Sequence, residues 1–517
     1  MGFMTQLKNE INNEKQTTEN GAVGYRTTGK ELLDLNFSVA SLRSASDIDI
    51  INKFIHAYFE DKITATKWLF YARDAREGLG ERRLFRVVME EFAQQEPKAV
   101  KELIKLVPEY GRWDDLWCML ETNLVDDIIE LVKCQLAEDA KNMADGKSVS
   151  LLAKWLPSVN TSSETTRKYA TIICKKLGET PRNYRKFLSS MRKYIDVVEC
   201  KMSAKEWNAI NYEAVPSRAN LIYNNAFLRN DEERRRAYLG KLEKGEAKIN
   251  AGTLFPHDIV HKYGSGYGVD TTLEELWKAL PNTVRGCGNT IVVADGSHSM
   301  ICNVGGNTRV TALEVANSLA IYFAERSSGE FKDKYITFSE RPQFVDFSNA
   351  KTLRDKLNIA RCHNEVANTN IEAVFDLILS TAVKNHMSQE DIPTNILIVS
   401  DMEFDACATS GAPVVRNNYW WCSSPVVRPT TTLFDAIEQK YKAAGYKLPR
   451  LVFWNVNSRT GTIPVKQNDL GVALVSGFSV NIVKMVMSNQ TDPYECLLEV
   501  LNSDRYQAVE DAVKDIL

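Results

Sequence analysis

The chain has no long hydrophobic run: nowhere in its 517 residues does an apolar stretch approach the roughly 20 residues that span a bilayer, so no membrane partner is expected. Its first residues are polar rather than signal-like, and Gln6 stands where the myristoylation pattern wants Ser or Thr, which points to a cytoplasmic protein. Paired cysteines are missing as well. Ten cysteines are scattered with no C-x-x-C, so a zinc ribbon is excluded and reduced thiols fit better than a disulfide frame. The six histidines are dispersed, and no G-x-x-x-x-G-K-[ST], G-x-S-x-G or H-E-x-x-H occurs. No enzymatic activity is therefore expected. Gly264-x-Gly266-x-Gly268 follows no strand and reads as a linker. Charge of one sign is also lacking overall, with a net value of −3.

What is present is a globular composition, 44% hydrophobic and 25% charged, in a chain too long for one ordinary domain. Residues 1–30 are polar and predict a mobile arm. From about Ser46 to Leu280 apolar residues recur at helical spacing in short segments broken by Gly, Pro and polar clusters. Asp47–Glu60, Lys62–Ala75, Glu81–Gln94, Glu164–Leu177 and Pro181–Tyr194 are examples. Helices paired without strands predict an all-α, HEAT-like first domain over 31–284. From 289 strands alternate with helices, which predicts a doubly wound α/β domain over 285–517.

Charge is uneven within the helical part. Residues 101–150 carry 6 Lys and Arg against 11 Asp and Glu, whereas residues 151–250 carry 20 against 11. The densest portion holds Arg167, Lys168, Lys175, Lys176, Arg182, Arg185, Lys186, Arg192 and Lys193, with Tyr169, Tyr184, Phe187 and Tyr194 interleaved. Such a stripe either contacts phosphates, with aromatics stacking on unpaired bases, or is a solvated face over an aromatic core. The residues alone do not choose.

In the second domain two apolar runs end in aspartates, Asp295 in NTIVVADGSHSM and Asp401 in NILIVSDMEF. Both fall where parallel strands open into loops, the usual place for ligands. With Ser297, Ser299 and Thr369 they form an all-oxygen donor set suited to Mg²⁺ or Mn²⁺. An ordinary helix N-cap would account for Asp295, Ser297 and Ser299 but leaves Thr369 and Asp401 unexplained. His298 lies between the serines and is expected to point outward.

This D-x-S-x-S, Thr, Asp pattern resembles the metal-ion-dependent adhesion site of von Willebrand factor A domains. The resemblance implies direct ligation by Ser297 and Ser299, ligation by Thr369 directly or through water, and water-mediated roles for Asp295 and Asp401. It also implies an open coordination position for an acidic side chain from a protein partner. Trp68–Phe85, with Arg73, Asp74, Arg76, Gly78, Gly80, Glu81 and Arg82, resembles a helix corner of the Ro autoantigen, type member of the TROVE module. Gly111-x-Trp113-Asp114-Asp115-Leu116 is similar to the element that follows it. An ion-pair network fixing the corner is the simpler reading of those charges. Taken together, the chain is similar to a Ro-related family of bacteria, phages and plants, in which a HEAT-like ring binds non-coding RNA and a von Willebrand A domain closes it. A metal-dependent protein-binding module without RNA is the alternative. The aromatic 402–429 insert is expected on the metal rim, as a lid or packing surface.

Overall fold

Apolar runs flanked by helical segments make parallel strands covered on both faces, and the second half of the chain follows that rule. In the computed structural model, which describes residues 15–264, 268–284, 289–305, 309–365, 370–405, 433–464, 471–482, 485 and 492–517, those runs form one sheet. A short hairpin comes first, β1 (Lys15–Thr17) and β2 (Val23–Tyr25), antiparallel. Then come β3 (Thr290–Asp295), β4 (Lys334–Phe338), β5 (Gln343–Asp346), β6 (Asn395–Ser400), β7 (Arg450–Asn455) and β8 (Val472–Ser476), in the spatial order β5-β4-β3-β6-β7-β8. All neighbours are parallel except β5, which returns antiparallel on β4 as an edge the sequence pattern had not announced. The helix Ala312–Arg326, buried along most of its length, packs on β3, β4 and β6.

The chain divides into an α/β unit (residues 1–45, 255–269 and 282–500) and a helical unit (46–254, 270–281 and 501–517). The boundary expected near 284 is thus crossed repeatedly. The mobile arm expected over 1–30 needs correction from Lys15 onward. Several of its polar groups bond to neighbouring loops: Thr18 Oγ1 donates to the Phe404 carbonyl (2.6 Å), Asn20 Nδ2 to that of Glu403 (2.6 Å), and Tyr25 exchanges backbone bonds with Ile463. Gly24 is required there, because a Cβ would stand 2.6 Å from the Ile463 carbonyl oxygen.

In the helical unit the elements match the apolar periodicity closely, with Asp47–Glu60, Lys62–Arg73, Arg82–Gln95 and Pro181–Tyr194 among them. The closing helix Gln507–Val513 packs on Lys62–Arg73 and Pro97–Leu103. The corner after Arg73 is an ion-pair network centred on Asp115. Arg73 donates to its Oδ2 through Nε (2.8 Å) and Nη2 (2.6 Å), Arg86 Nε reaches Oδ1 at 2.7 Å and Arg82 Nε at 3.4 Å, and the Arg112 amide adds a further bond at 3.0 Å. Burial works against the charge on Asp115, yet Arg73 and Arg86 outweigh it and hold its pKa below the ordinary value. Asp74, fully buried, accepts from Arg505 Nε (2.8 Å) and from Tyr506 Oη (3.3 Å). Arg76 bonds the carbonyl of Glu109, and the amide of buried Glu81 closes the corner on the Ala72 carbonyl. Glycine is needed at 78, where a Cβ would meet the Tyr71 carbonyl oxygen at 2.0 Å, and at 111, where it would meet Asp115 Oδ2 at 2.6 Å.

Asp115→Ala leaves Arg73 buried and unpaired, and is expected to cost the helical unit about 3–5 kcal/mol, read as a shift of its urea midpoint. Arg82→Ala, at a side chain 40% exposed, should cost under about 1 kcal/mol. A midpoint unmoved in Asp115→Ala would show that the network contributes nothing net.

Candidate metal centre

Parallel pairing of β3 with β6, in register at Ala294 and Val399, carries Asp295 and Asp401 to the same edge of the sheet. Asp295 is 1% exposed. Its Oδ1 accepts from the Ser297 amide (2.9 Å) and its Oδ2 from Ser400 Oγ (2.5 Å). Ser297 stands at the N-cap of the short turn His298–Ile301 but its hydroxyl makes no capping bond; it lies 3.0 Å from the Ser299 hydroxyl. The simple capping account therefore fails. Gly296 permits the close turn, since its amide donates to the Phe338 carbonyl (2.8 Å) and a Cβ would stand 3.0 Å from Thr337 Oγ1. His298 is exposed, outside the group.

Asp401 is fully buried. Its Oδ1 accepts from the Glu403 amide at 3.3 Å, while its Oδ2 accepts no hydrogen bond from the described residues. Thr337 Oγ1 and Asn364 Oδ1, which flank Gly296, are likewise buried and have no hydrogen bond among the described residues. Met402, which follows Asp401, holds a left-handed backbone at φ 63°, a conformation that costs a non-glycine residue about 1 kcal/mol or more and tends to mark functional sites. Burial and, after it, the charge of Asp295 raise the Asp401 carboxyl to about 7, with the Ser299 hydroxyl working in the opposite sense. Asp295 is raised too, chiefly by burial, against the Ser297 and Ser400 hydrogen bonds.

Four of the five expected ligand residues thus converge: Asp295, Ser297, Ser299 and Asp401. Thr369 lies outside the described residues. So does most of the 402–429 insert, of which Met402–Asp405 are described. Among the described residues no group of three or more His, Cys, Asp and Glu is disposed as a metal site, so any ion here depends on hydroxyl ligands. The chemistry fits one: hard oxygens, two carboxylates, and a buried carboxylate oxygen lacking a donor among the described residues. Sequence reasoning missed Ser400, Glu403 and Arg459. Ser400 and Glu403 flank Asp401 closely enough to have been suspected, but nothing in Asn457-Ser458-Arg459-Thr460 signals a site.

The basic segment lies on two helices of the helical unit, Glu164–Lys176 and Pro181–Tyr194. On the second, Arg182, Arg185, Lys186 and Lys193 share an exposed face opposite buried Tyr184, Leu188 and Met191. Arg167, Lys168, Lys175 and Lys176 are exposed on the first. Arg192 is a correction. Its guanidinium donates to the carbonyls of Ala153 (2.9 Å) and Leu156 (2.6 Å) and to Ser158 Oγ (2.9 Å), so it stitches backbone rather than facing solvent. Tyr184 is likewise core, bonded to the Pro157 carbonyl at 3.0 Å. Lys168 pairs with Glu121 (2.5 Å) and Lys176 with Asp126 (2.6 Å). Among the described residues, Lys175, Arg182, Arg185, Lys186 and Lys193 form no ion pair.

Comparison with known proteins divides the chain in a similar way. Residues 289–514 match the model of a domain of unknown function (DUF7788), and residues 122–289 that of another domain of unknown function (DUF2828). The chain is 29% identical over 521 aligned positions to the uncharacterized protein L728 of Acanthamoeba polyphaga mimivirus, covering 94% of this chain and 86% of that one. Among solved structures it is similar to the Ro (RSR) protein of Deinococcus radiodurans, with a TM-score of 0.42 and 16% identity over 86% of this chain and 93% of that chain. No helix among the described residues is long and apolar enough to cross a membrane.

The raised carboxyl has a consequence for stability. Folding favours neutral Asp401, so its contribution is complete below about pH 4 and is lost as pH rises through about 7. The metal-free α/β unit should melt at a lower temperature at pH 8 than at pH 5.5, and Asp401→Asn should flatten that dependence. A wild-type melt that rises over this range, or one that Asp401→Asn leaves unchanged, would show the carboxyl to be ionised throughout.

Proposed function

We propose that the chain is a Ro-like RNA-binding protein whose exposed helical cations take RNA phosphates. Its α/β unit, read as a von Willebrand A domain, holds Mg²⁺ or Mn²⁺ at Asp295, Ser297, Ser299, Thr369 and Asp401. The observation that carries the RNA reading is the free basic face of Pro181–Tyr194, four cations on one side of one helix with no acidic partner among the described residues. Phosphate neutralisation is the main source of nucleic-acid affinity, and the partly exposed Tyr169, Phe187 and Tyr194 stand near enough in sequence to stack on unpaired bases. The metal reading is carried by Asp401 Oδ2, which has no donor among the described residues, beside a second buried carboxylate. When bound, the ion would supply an open position for one more oxygen ligand. Ser400 orients Asp295, and the Glu403 amide orients Asp401. We read the pair as binding rather than hydrolytic, because two-metal phosphoesterase centres need more carboxylates than these.

Filter binding to a structured RNA with a single-stranded 3′ end tests the first part. Retention is expected at ~50 mM salt, and replacing Arg182, Arg185, Lys186 and Lys193 by Ala should reduce the slope of log K against log salt by about 3, near 0.7 per lost phosphate contact. No retention at that salt would overturn the RNA reading. A protein partner whose capture needs Mg²⁺ and fails with EDTA, in a chain that binds no RNA, would favour metal-dependent protein binding instead. For the ion itself, Asp295→Ala should abolish Mn²⁺ binding while the helical unit melts unchanged; Mn²⁺ retained by that variant would refute the ligand set.

A further inference from the structure

Beyond β7 the chain delivers a cation to the carboxylate pair. Asn455 ends the strand, and its Oδ1 accepts from the amides of Asn457 (3.0 Å) and Ser458 (2.8 Å), turning the backbone sharply. The loop is then anchored on Glu403, which is fully buried: its Oε1 accepts from the amides of Arg459 and Thr460, both at 2.9 Å, and from Thr460 Oγ1 at 3.0 Å. Its Oε2 accepts from the amide of Glu19, at the tip of the β1–β2 hairpin, at 2.8 Å. One carboxylate therefore positions both Arg459 and Glu19. The result is a chain of charges: Arg459 Nη2 lies 2.6 Å from Glu19 Oε2 and 3.6 Å from Asp401 Oδ2, the oxygen that accepts no hydrogen bond from the described residues. Among the described residues Arg459 is the only cation within ion-pair distance of Asp401.

We propose that Arg459 is the resident counter-cation of the Asp295–Asp401 pair, tethered by Glu19, and that a divalent ion binds by displacing it. The inference rests on the metal reading above. A guanidinium does not lose its proton in proteins, so it cannot yield the site by neutralising and must move or be repelled. Its side chain is 41% exposed, which leaves it room to swing towards solvent, and Glu19, 55% exposed, remains its partner when it does. The hairpin carboxylate thereby sets how firmly the guanidinium leans on Asp401, and with that the affinity of the site for divalent ions.

Calorimetric titration of the full-length protein with Mn²⁺ at pH 8 tests this. Removing one positive charge a few ångströms from a divalent ion should tighten binding about tenfold in Arg459→Gln, whereas Arg459→Lys should stay near wild type. Glu19→Gln, at an exposed side chain, frees the guanidinium to settle on Asp401 and should weaken binding severalfold. That effect should shrink below about twofold in the Glu19→Gln/Arg459→Gln double variant. The proposal is overturned if Arg459→Gln folds and binds no tighter than wild type, if Glu19→Gln leaves affinity unchanged, or if its weakening persists undiminished in the double variant, which would make Glu19 a ligand. Should Arg459→Gln fail to melt cooperatively, Glu19→Gln decides alone. Wild-type protein that takes up no Mn²⁺ would instead remove the metal reading on which this rests.

Discussion

Two buried carboxylates end neighbouring parallel strands, and the α/β unit is arranged to tolerate that. Bringing both charges into a buried edge costs desolvation and mutual repulsion together. Asp295 is relieved by two hydrogen bonds from its own loop and from Ser400. Asp401 is relieved much less, and its raised pKa records the deficit. Everything nearby that looks idiosyncratic follows from this pair: the glycine at 296, the left-handed Met402, and the loop that turns back to bring in a guanidinium.

Other buried acids in the molecule show what a purely structural carboxylate looks like. Glu403 is saturated by backbone amides and a hydroxyl, and Asp115 by arginines and an amide. Such groups fix geometry and have nothing left to offer a ligand. Asp401 keeps an oxygen in reserve. Among these three acids the contrast between filled and unfilled acceptors, more than the burial they share, separates scaffold from site.

The strands around the site were legible because interior parallel strands are apolar throughout, and β3, β4, β6, β7 and β8 announce themselves. The helices were legible from their apolar periodicity, and the caps agree with it: Ser46, Asp61, Ser163 and Thr180 each accept from the amide three residues on, where the periodicity had placed the start. Edge elements were not. β5 is short and half polar, and β1–β2 gains its order from partners some 380 residues away, which local propensity cannot register. Arg192 shows the same limit for charge, since its carbonyl partners, Ala153 and Leu156, come from the helix Leu152–Trp155 and its C-cap, a pairing that composition does not reveal. The carboxylate pair could be anticipated because each aspartate ends its own strand. Arg459 could not, because only the fold brings it there.

The hairpin has a further implication for how the chain is made. Residues 15–25 bond to residues 403–405 and 463, and the stretch between includes the whole span 46–254 assigned to the other unit. On a ribosome the opening segment therefore emerges long before its strand partners exist, and helices must form while it waits. Contacts of such sequence separation are slow to close, so the rim around Asp295 and Asp401 is among the last parts of the nascent polypeptide able to mature. A fragment started at residue 282 to isolate the sheet would lack Glu19 and the strands beside it, and would leave the backbone groups of Glu403, Phe404 and Ile463 without those partners.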